Sequence, residues 1–179
     1  MEKFEFEGNE YIILNGKILD NMFCVVEDVL SEKIKTKLFL ECDYKSYGER
    51  ELLEFILKIK EIELFSFAKS VIEYAYTIFS TNANFVRYTL PIYTSCLRQL
   101  NLSKEAIDFA EKYIKEDTLS GHLYTSLAAA ACDIEKFYKA NEFISLAEKF
   151  KTTDPATNDL IINNVRERIS NRNYNSNVI

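Results

Sequence analysis

Glycine and proline are scarce in this chain, four and two among 179 residues. So low a content excludes a many-turned β-sandwich or a disordered linker as the bulk of the molecule. The glycines Gly8, Gly16, Gly48 and Gly121 stand alone, so none belongs to a glycine-rich loop that could cradle phosphates, and nucleotide hydrolysis is not expected. Histidine occurs once, as His122. A histidine-activated nucleophile would have to be Cys96 or Cys132, and neither lies in a catalytic signature. Cys24, Cys42, Cys96 and Cys132 stand far apart in the chain, which offers no paired spacing for a metal knuckle or a redox dithiol. Free core thiols in a reducing compartment are the expectation. No metal site, no cofactor and no catalytic residues are expected, and the chain reads as a non-enzyme. With no basic-then-apolar leader after Met1 and no apolar run of membrane-spanning length, a cytoplasmic protein without membrane contact is expected.

What is present is a packed composition, 47% apolar and 28% charged, long enough for one sizeable core. The net charge of −6 is unevenly placed. Residues 1–63 carry 15 acidic and 9 basic side chains, and the remainder carries 13 of each. Direct nucleic-acid binding is therefore disfavoured, because affinity for phosphates rests on cationic charge. The acidic part suits either a solvated face or contact with a basic partner.

Along the chain, Phe4 and Phe6 alternate with glutamates, Gly8-Asn9 signals a turn, and Tyr11 to Leu14 lead to Asn15-Gly16. Period-two apolarity beside Asn-Gly predicts a two-stranded hairpin. From Asp20, a candidate N-cap, Phe23, Val26, Leu30, Ile34 and Leu38 recur at helical spacing, predicting a helix that ends near Cys42 to Lys45. Ser46-Tyr47-Gly48-Glu49 has the spacing of a capping box and opens the next helix. A succession of helical segments then follows, separated by short polar breaks, among them Ser80 to Asn84. Pro91 lies inside one of these segments, which predicts a kink or a later helix start. Asp154-Pro155 announces a last helix running to about Arg172.

The segment Lys104–Ile114 is written a second time further along: Ala106 matches Ala140 and Phe109 matches Phe143. The preceding helices match at the same offset, with Leu90, Tyr93, Thr94 and Leu97 against Tyr124, Leu127, Ala128 and Ala131. An earlier copy uses Leu52, Phe55, Ile56 and Ile59, then Ala68, Ile72 and Ala75. Ala68 precedes Ala106 by more than the offset that separates Ala106 from Ala140, so four extra residues are expected near Ser80 to Asn84. This pattern resembles the tetratricopeptide repeat family, whose unit of about 34 residues forms two antiparallel helices. Ile56 and Thr94 stand where that family keeps small residues, and its unit-ending proline is absent or displaced. An ordinary helical bundle with accidental periodicity is the competing architecture.

The resemblance implies a mainly α fold: a right-handed α-solenoid of about three helix pairs over residues 47–172 with a C-terminal capping helix. An N-terminal hairpin and helix, residues 1–46, would precede it, and residues 173–179 would form a flexible tail. It also implies a groove lined by the first helix of each pair, holding a protein or peptide partner. Carried over by position, the lining is Arg50, Leu53 and Leu57, then Tyr88, Ile92, Ser95 and Arg98, then His122, Thr125 and Ala129. Few cations fall in that set, so an apolar or aromatic segment anchored on Tyr88 is the expected guest. The function implied is a non-catalytic adaptor or chaperone-like binder. A peptide-sensing regulator and an immunity-type inhibitor acting through the acidic N-terminal face are the alternatives.

Overall fold

The structure is a computed structural model and describes residues 2–14, 17–150 and 159–176. Among them are a three-stranded sheet and eight α-helices, so the molecule is mainly helical with a small N-terminal sheet. The chain divides into two compact units, Met1–Asp43 and Tyr44–Ile179.

In the first unit, β1 (Glu2–Phe6), β2 (Asn9–Leu14) and β3 (Lys17–Leu19) form an antiparallel meander in the order β1-β2-β3. This is one strand more than the expected hairpin. The first turn is centred on Glu7 and Gly8, both with positive φ (50° and 80°), between the paired residues Phe6 and Asn9. That is the two-residue turn whose twist matches its strands, and it needs Gly8 for its left-handed backbone. Asn15-Gly16 lies outside the described residues.

The expected helix start at Asp20 is corrected. The Asp20 carboxylate accepts from the N–H groups of Met22 and Cys24, both at 2.9 Å, and this local ring competes with helix. Phe23 sits at φ 62°, which ends any helical run there. Helix α1 (Asp28–Glu41) begins eight residues later and lays Ile34 against Phe6, Tyr11 and Ile18, with Phe4, Val26, Leu30 and Leu38 packed around them.

The second unit contains α2 (Glu49–Glu61), α3 (Phe65–Phe79), α4 (Ala83–Gln99), α5 (Ser103–Tyr113), α6 (Gly121–Asp133), α7 (Phe137–Lys149) and α8 (Asp159–Ser176). The capping box is displaced by two residues from its expected place. Gly48 is the N-cap of α2, and its N–H donates to the Glu51 carboxylate at 2.9 Å. Asn82 caps α4 by accepting from the Phe85 N–H, and Ser120 caps α6 by accepting from the Leu123 N–H. Asp154-Pro155 and residues 177–179 of the expected tail lie outside the described residues, and α8 extends past Arg172.

Three connections share one geometry. Between α2 and α3, Glu63 has φ 61°, and the Leu64 N–H returns to the Ile59 carbonyl at 3.0 Å. Between α4 and α5, Asn101 has φ 60° and Leu102 returns to Leu97 at 2.8 Å. Between α6 and α7, Glu135 has φ 59° and Lys136 returns to Ala131 at 2.8 Å. Each is a helix end closed by one left-handed residue and a six-to-one bond. Each is followed, four residues after the returning N–H, by a buried alanine: Ala68, Ala106 and Ala140.

The expected four extra residues are present but do not lengthen a loop. α3 and α4 have 15 and 17 residues where α5 and α6 have 11 and 13, so each helix is four longer, while the connection between α3 and α4 is four shorter than that between α5 and α6. α4 runs through Pro91 without starting later, because its start is capped by Asn82, nine residues upstream. The missing N–H of Pro91 removes one bond, and burial of the residues around it on α4 outweighs that loss.

Packing is between near neighbours. α2 lies on α3 and α4, α3 on α4, α4 on α5 and α6, α5 on α6, and α6 on α7 and α8, with α7 also against α8. α6 is the most enclosed: every residue from Leu123 to Cys132 is buried. Its alanine-rich sequence, Ala128 to Ala131, follows from that position, since helices crowd it from several sides.

Candidate functional site

The ten residues expected to line a groove come from the first helices of the three pairs, α2, α4 and α6. On α2, the Arg50 side chain is exposed and bonds Glu54 one turn on at 3.0 Å, Leu53 is half-buried, and Leu57 is 47% exposed. On α4, Tyr88 is 63% exposed and Ser95 is half-buried. α2 and α4 are packed neighbours, so their exposed side chains belong to adjacent helices of one unit.

The other expected residues are differently placed. Ile92 is buried in α4, and Thr125 and Ala129 are buried in α6, with 0% and 2% exposure. The physical reason is that α4, α5, α7 and α8 all pack on α6, leaving it no open face. The Thr125 hydroxyl donates to the His122 carbonyl at 2.9 Å, and His122 itself is half-buried at the first turn of α6. Thr125 and Ala129 are therefore interior residues here, not a surface presented to solvent.

Arg98 is held from within. Its Nε donates to the Asp133 carboxylate at 2.7 Å, the Ser103 hydroxyl donates to the same oxygen at 3.1 Å, and Arg168 donates to the other oxygen at 2.9 Å. One carboxylate at the end of α6 thus ties the end of α4, the start of α5 and the middle of α8. Burial pushes the Asp133 carboxyl up, but the hydrogen bond and charge of Arg98, joined by Arg168 and Ser103, outweigh it and hold it below the usual carboxylate range. Arg98, Asp133 and Arg168 follow one another at equal intervals of 35 residues, close to the spacing of the helix pairs. The sequence reading missed Asp133, and the regular spacing, the one trace of the hub in the sequence, does not by itself say that the three side chains meet.

A second polar network crosses the first two pairs. Lys69 of α3 bonds Glu73 at 2.6 Å and Glu105 of α5 at 2.9 Å, and the Tyr93 hydroxyl of α4 donates to Glu73 at 2.8 Å. Tyr93, Tyr76, Phe109 and Tyr113 pack their rings together beneath it, with centroids 4.4 to 6.5 Å apart. Burial, and then the bond to Glu73, keep the Tyr93 hydroxyl protonated well above the usual tyrosine range. Burial likewise pushes the Cys96 thiol up to about 11 and raises that of Cys132, so both remain neutral thiols at ordinary pH. Cys24 and Cys42 are thiols as well and lie nearer the surface.

Among the described residues no group of three or more His, Cys, Asp or Glu side chains is arranged to hold a metal ion. No helix among them is long and apolar enough to cross a membrane. Of the expected set, Arg50, Leu57 and Tyr88 are the exposed residues on α2 and α4, with Leu53 and Ser95 half-buried. Comparison with family models, with curated proteins and with solved structures finds no match to this chain.

Proposed function

We propose that residues 47–172 form a tetratricopeptide-like α-solenoid, three helix pairs closed by α8, that acts as a non-catalytic module binding a peptide or partner segment across α2 and α4. The observation that carries the reading is the threefold recurrence of one helix–helix turn at Glu63, Asn101 and Glu135, each with its buried alanine four residues past the returning N–H. Recurring geometry of this kind is what a chain of stacked, similar units requires, since each unit must offer its neighbour the same face. α8 supports the capping role: Ile162, Val165 and Ile169 are buried, while Asn163, Asn164 and Glu167 on the other side are exposed.

Within that scaffold the exposed Tyr88 and Leu57 are the anchors, flanked by Leu53, Ser95 and Arg50. A large aromatic ring held on a helix by a buried opposite face is a low-entropy contact of the sort that dominates interfaces. The guest is accordingly an extended or helical protein segment with an apolar side chain. A displayed peptide library selected on the wild-type protein, then tested on Leu57→Ser/Tyr88→Ala, measures this. Selected peptides should lose about tenfold or more in affinity on the variant, on the order of what loss of one aromatic anchor costs. Equal binding to both forms would remove the α2–α4 surface from the reading.

A second reading rests on charge. Residues 1–43 carry ten acidic and five basic side chains, a balance of −5 out of the whole chain's −6. An inhibitor or adaptor that covers a basic partner with this unit would bind with a steep dependence on salt, whereas the apolar α2–α4 contact would not.

A further inference from the structure

We propose that the chain forms a twofold dimer through the free edge of β1, joining two three-stranded sheets into one of six strands. β1 is an edge strand, and among the described residues its backbone hydrogen bonds go to β2 alone. The opposite edge is already covered: Val25 bridges to Leu19, and the Val26 N–H donates to the Ile18 carbonyl at 3.1 Å. An uncovered edge is a template for another strand. β1 has no proline and no bulge to prevent such pairing.

The charges on β1 select both the occupant and the register. Phe4 and Phe6 face α1, so Lys3 and Glu5 lie on the other side of the sheet. There Glu5 stands directly opposite Glu10 of β2, a like-charge pair, and Lys3 reaches across to Glu10 at 3.2 Å. Glu5 has no cation of its own among the described residues. An antiparallel pair of β1 strands about a twofold axis sets residues of the same sheet face opposite one another. Centred on Lys3, it would oppose two lysines; centred on Glu5, two glutamates. Centred on Phe4, it uses the whole strand and sets Lys3 opposite Glu5 of the second copy, twice. That register relieves the Glu5–Glu10 repulsion with two opposite-charge cross-strand pairs. It is self-complementary, as a closed dimer interface must be.

On the helix side of the same strand, a groove beside Phe6 combines Thr36 and Leu40, the latter 51% exposed, with the charged Glu7, Glu32, Lys33, Lys37 and Glu41. Strand addition places every second side chain of the second copy on that side. The interface is small, so a reversible dimer with a dissociation constant on the order of 10 to 100 µM is expected.

Sedimentation equilibrium of the full chain, run across that concentration range, tests the pairing with three variants: Lys3→Glu, Glu5→Lys and the double exchange. Each single variant puts like charges opposite one another twice and should weaken the dimer about tenfold or more. The double exchange restores opposite signs across the twofold, and across the sheet to Glu10, and should return the constant to within about threefold of wild type. Far-ultraviolet circular dichroism of every variant confirms that the helical fold is retained, and the double variant keeps the test valid if a single one folds poorly. A wild-type chain that stays monomeric throughout would overturn the proposal and leave Lys3 and Glu5 as charges that keep the edge unpaired. A dimer unaffected by the single exchanges, or not recovered by the double one, would overturn it equally. None of these outcomes bears on the α2–α4 surface, so the two readings fail separately.

Discussion

The two units bury their apolar side chains by different means. Residues 1–43 place one face of a small sheet on one helix, with Ile34 at 0% exposure at its centre and Phe4, Val26, Leu30 and Leu38 half-buried around it. Residues 44–179 distribute their interior over every helix, and α6 is buried along nearly its whole length. In the first arrangement a side chain has a few neighbours that can settle into a space left beside them. In the second, α6 as a whole packs against four other helices, and relaxation of its side chains toward one opens a gap at another.

The largest difference should appear on truncating the interior. Leu127→Ala, at a fully buried position of α6, is expected to cost about 3 to 4 kcal/mol in urea unfolding, the middle of the range for leucine truncations. Ile34→Ala in the first unit should cost nearer ~2 kcal/mol, because its half-buried neighbours can close the cavity. Equal losses would mean that the sheet unit is packed as rigidly as the helical unit.

Next comes the Asp133 hub, which has no counterpart among the described residues of the first unit. Asp133→Ala strands Arg98 and Arg168, and a cost of roughly 1 to 3 kcal/mol is expected. Its folded carboxyl lies below the unfolded value of about 3.9, so its contribution is fully present above that pH and lost as pH falls through the folded value. Stability measured from about pH 6 down to about pH 2 should therefore fall less steeply for Asp133→Asn than for wild type. An unchanged acid limb would show that the ion pairs contribute nothing net.

A smaller effect of opposite sign is expected at the recurring turns. Glu63→Gly and Glu135→Gly should each stabilise by about 0.5 to 1 kcal/mol, since glycine adopts the left-handed backbone without the steric cost. Asn101→Gly should gain less, because asparagine tolerates that conformation. Destabilisation at all three would contradict the shared geometry. The smallest effect belongs to Lys69. Its bonds to Glu73, then Glu105, raise its pKa above 10.5, so its contribution is present below about pH 10 and lost as pH rises through the folded value. The side chain is partly exposed, and Glu73→Gln should change stability by only a few tenths of a kcal/mol at neutral pH, with the alkaline limb flattened.

Much of this molecule is legible from residue order because its rules are local. Apolar spacing located the helices from Glu49 onward. The offsets linking Ala68, Ala106 and Ala140 marked three buried alanines, each following its turn by the same number of residues. The candidate site was less legible. Tyr88 and Leu57 are exposed, but Ile92, Thr125 and Ala129 are interior, and helical period alone cannot distinguish a side chain facing solvent from one facing a fourth neighbour. Asp20 had the chemistry of a helix cap and instead closed a turn on Met22 and Cys24, because the same carboxylate satisfies either set of N–H groups.

Sequence by itself therefore determined that the chain is mainly helical from Glu49 onward and where the acidic charge lies, because propensity, period and charge act over a few residues. Tertiary structure alone decided that α6 is enclosed and that Arg98 is committed to Asp133. It alone decided that β1 keeps an open edge while β3 does not. These depend on which segments meet across tens of residues, and a side chain's exposure belongs to that meeting.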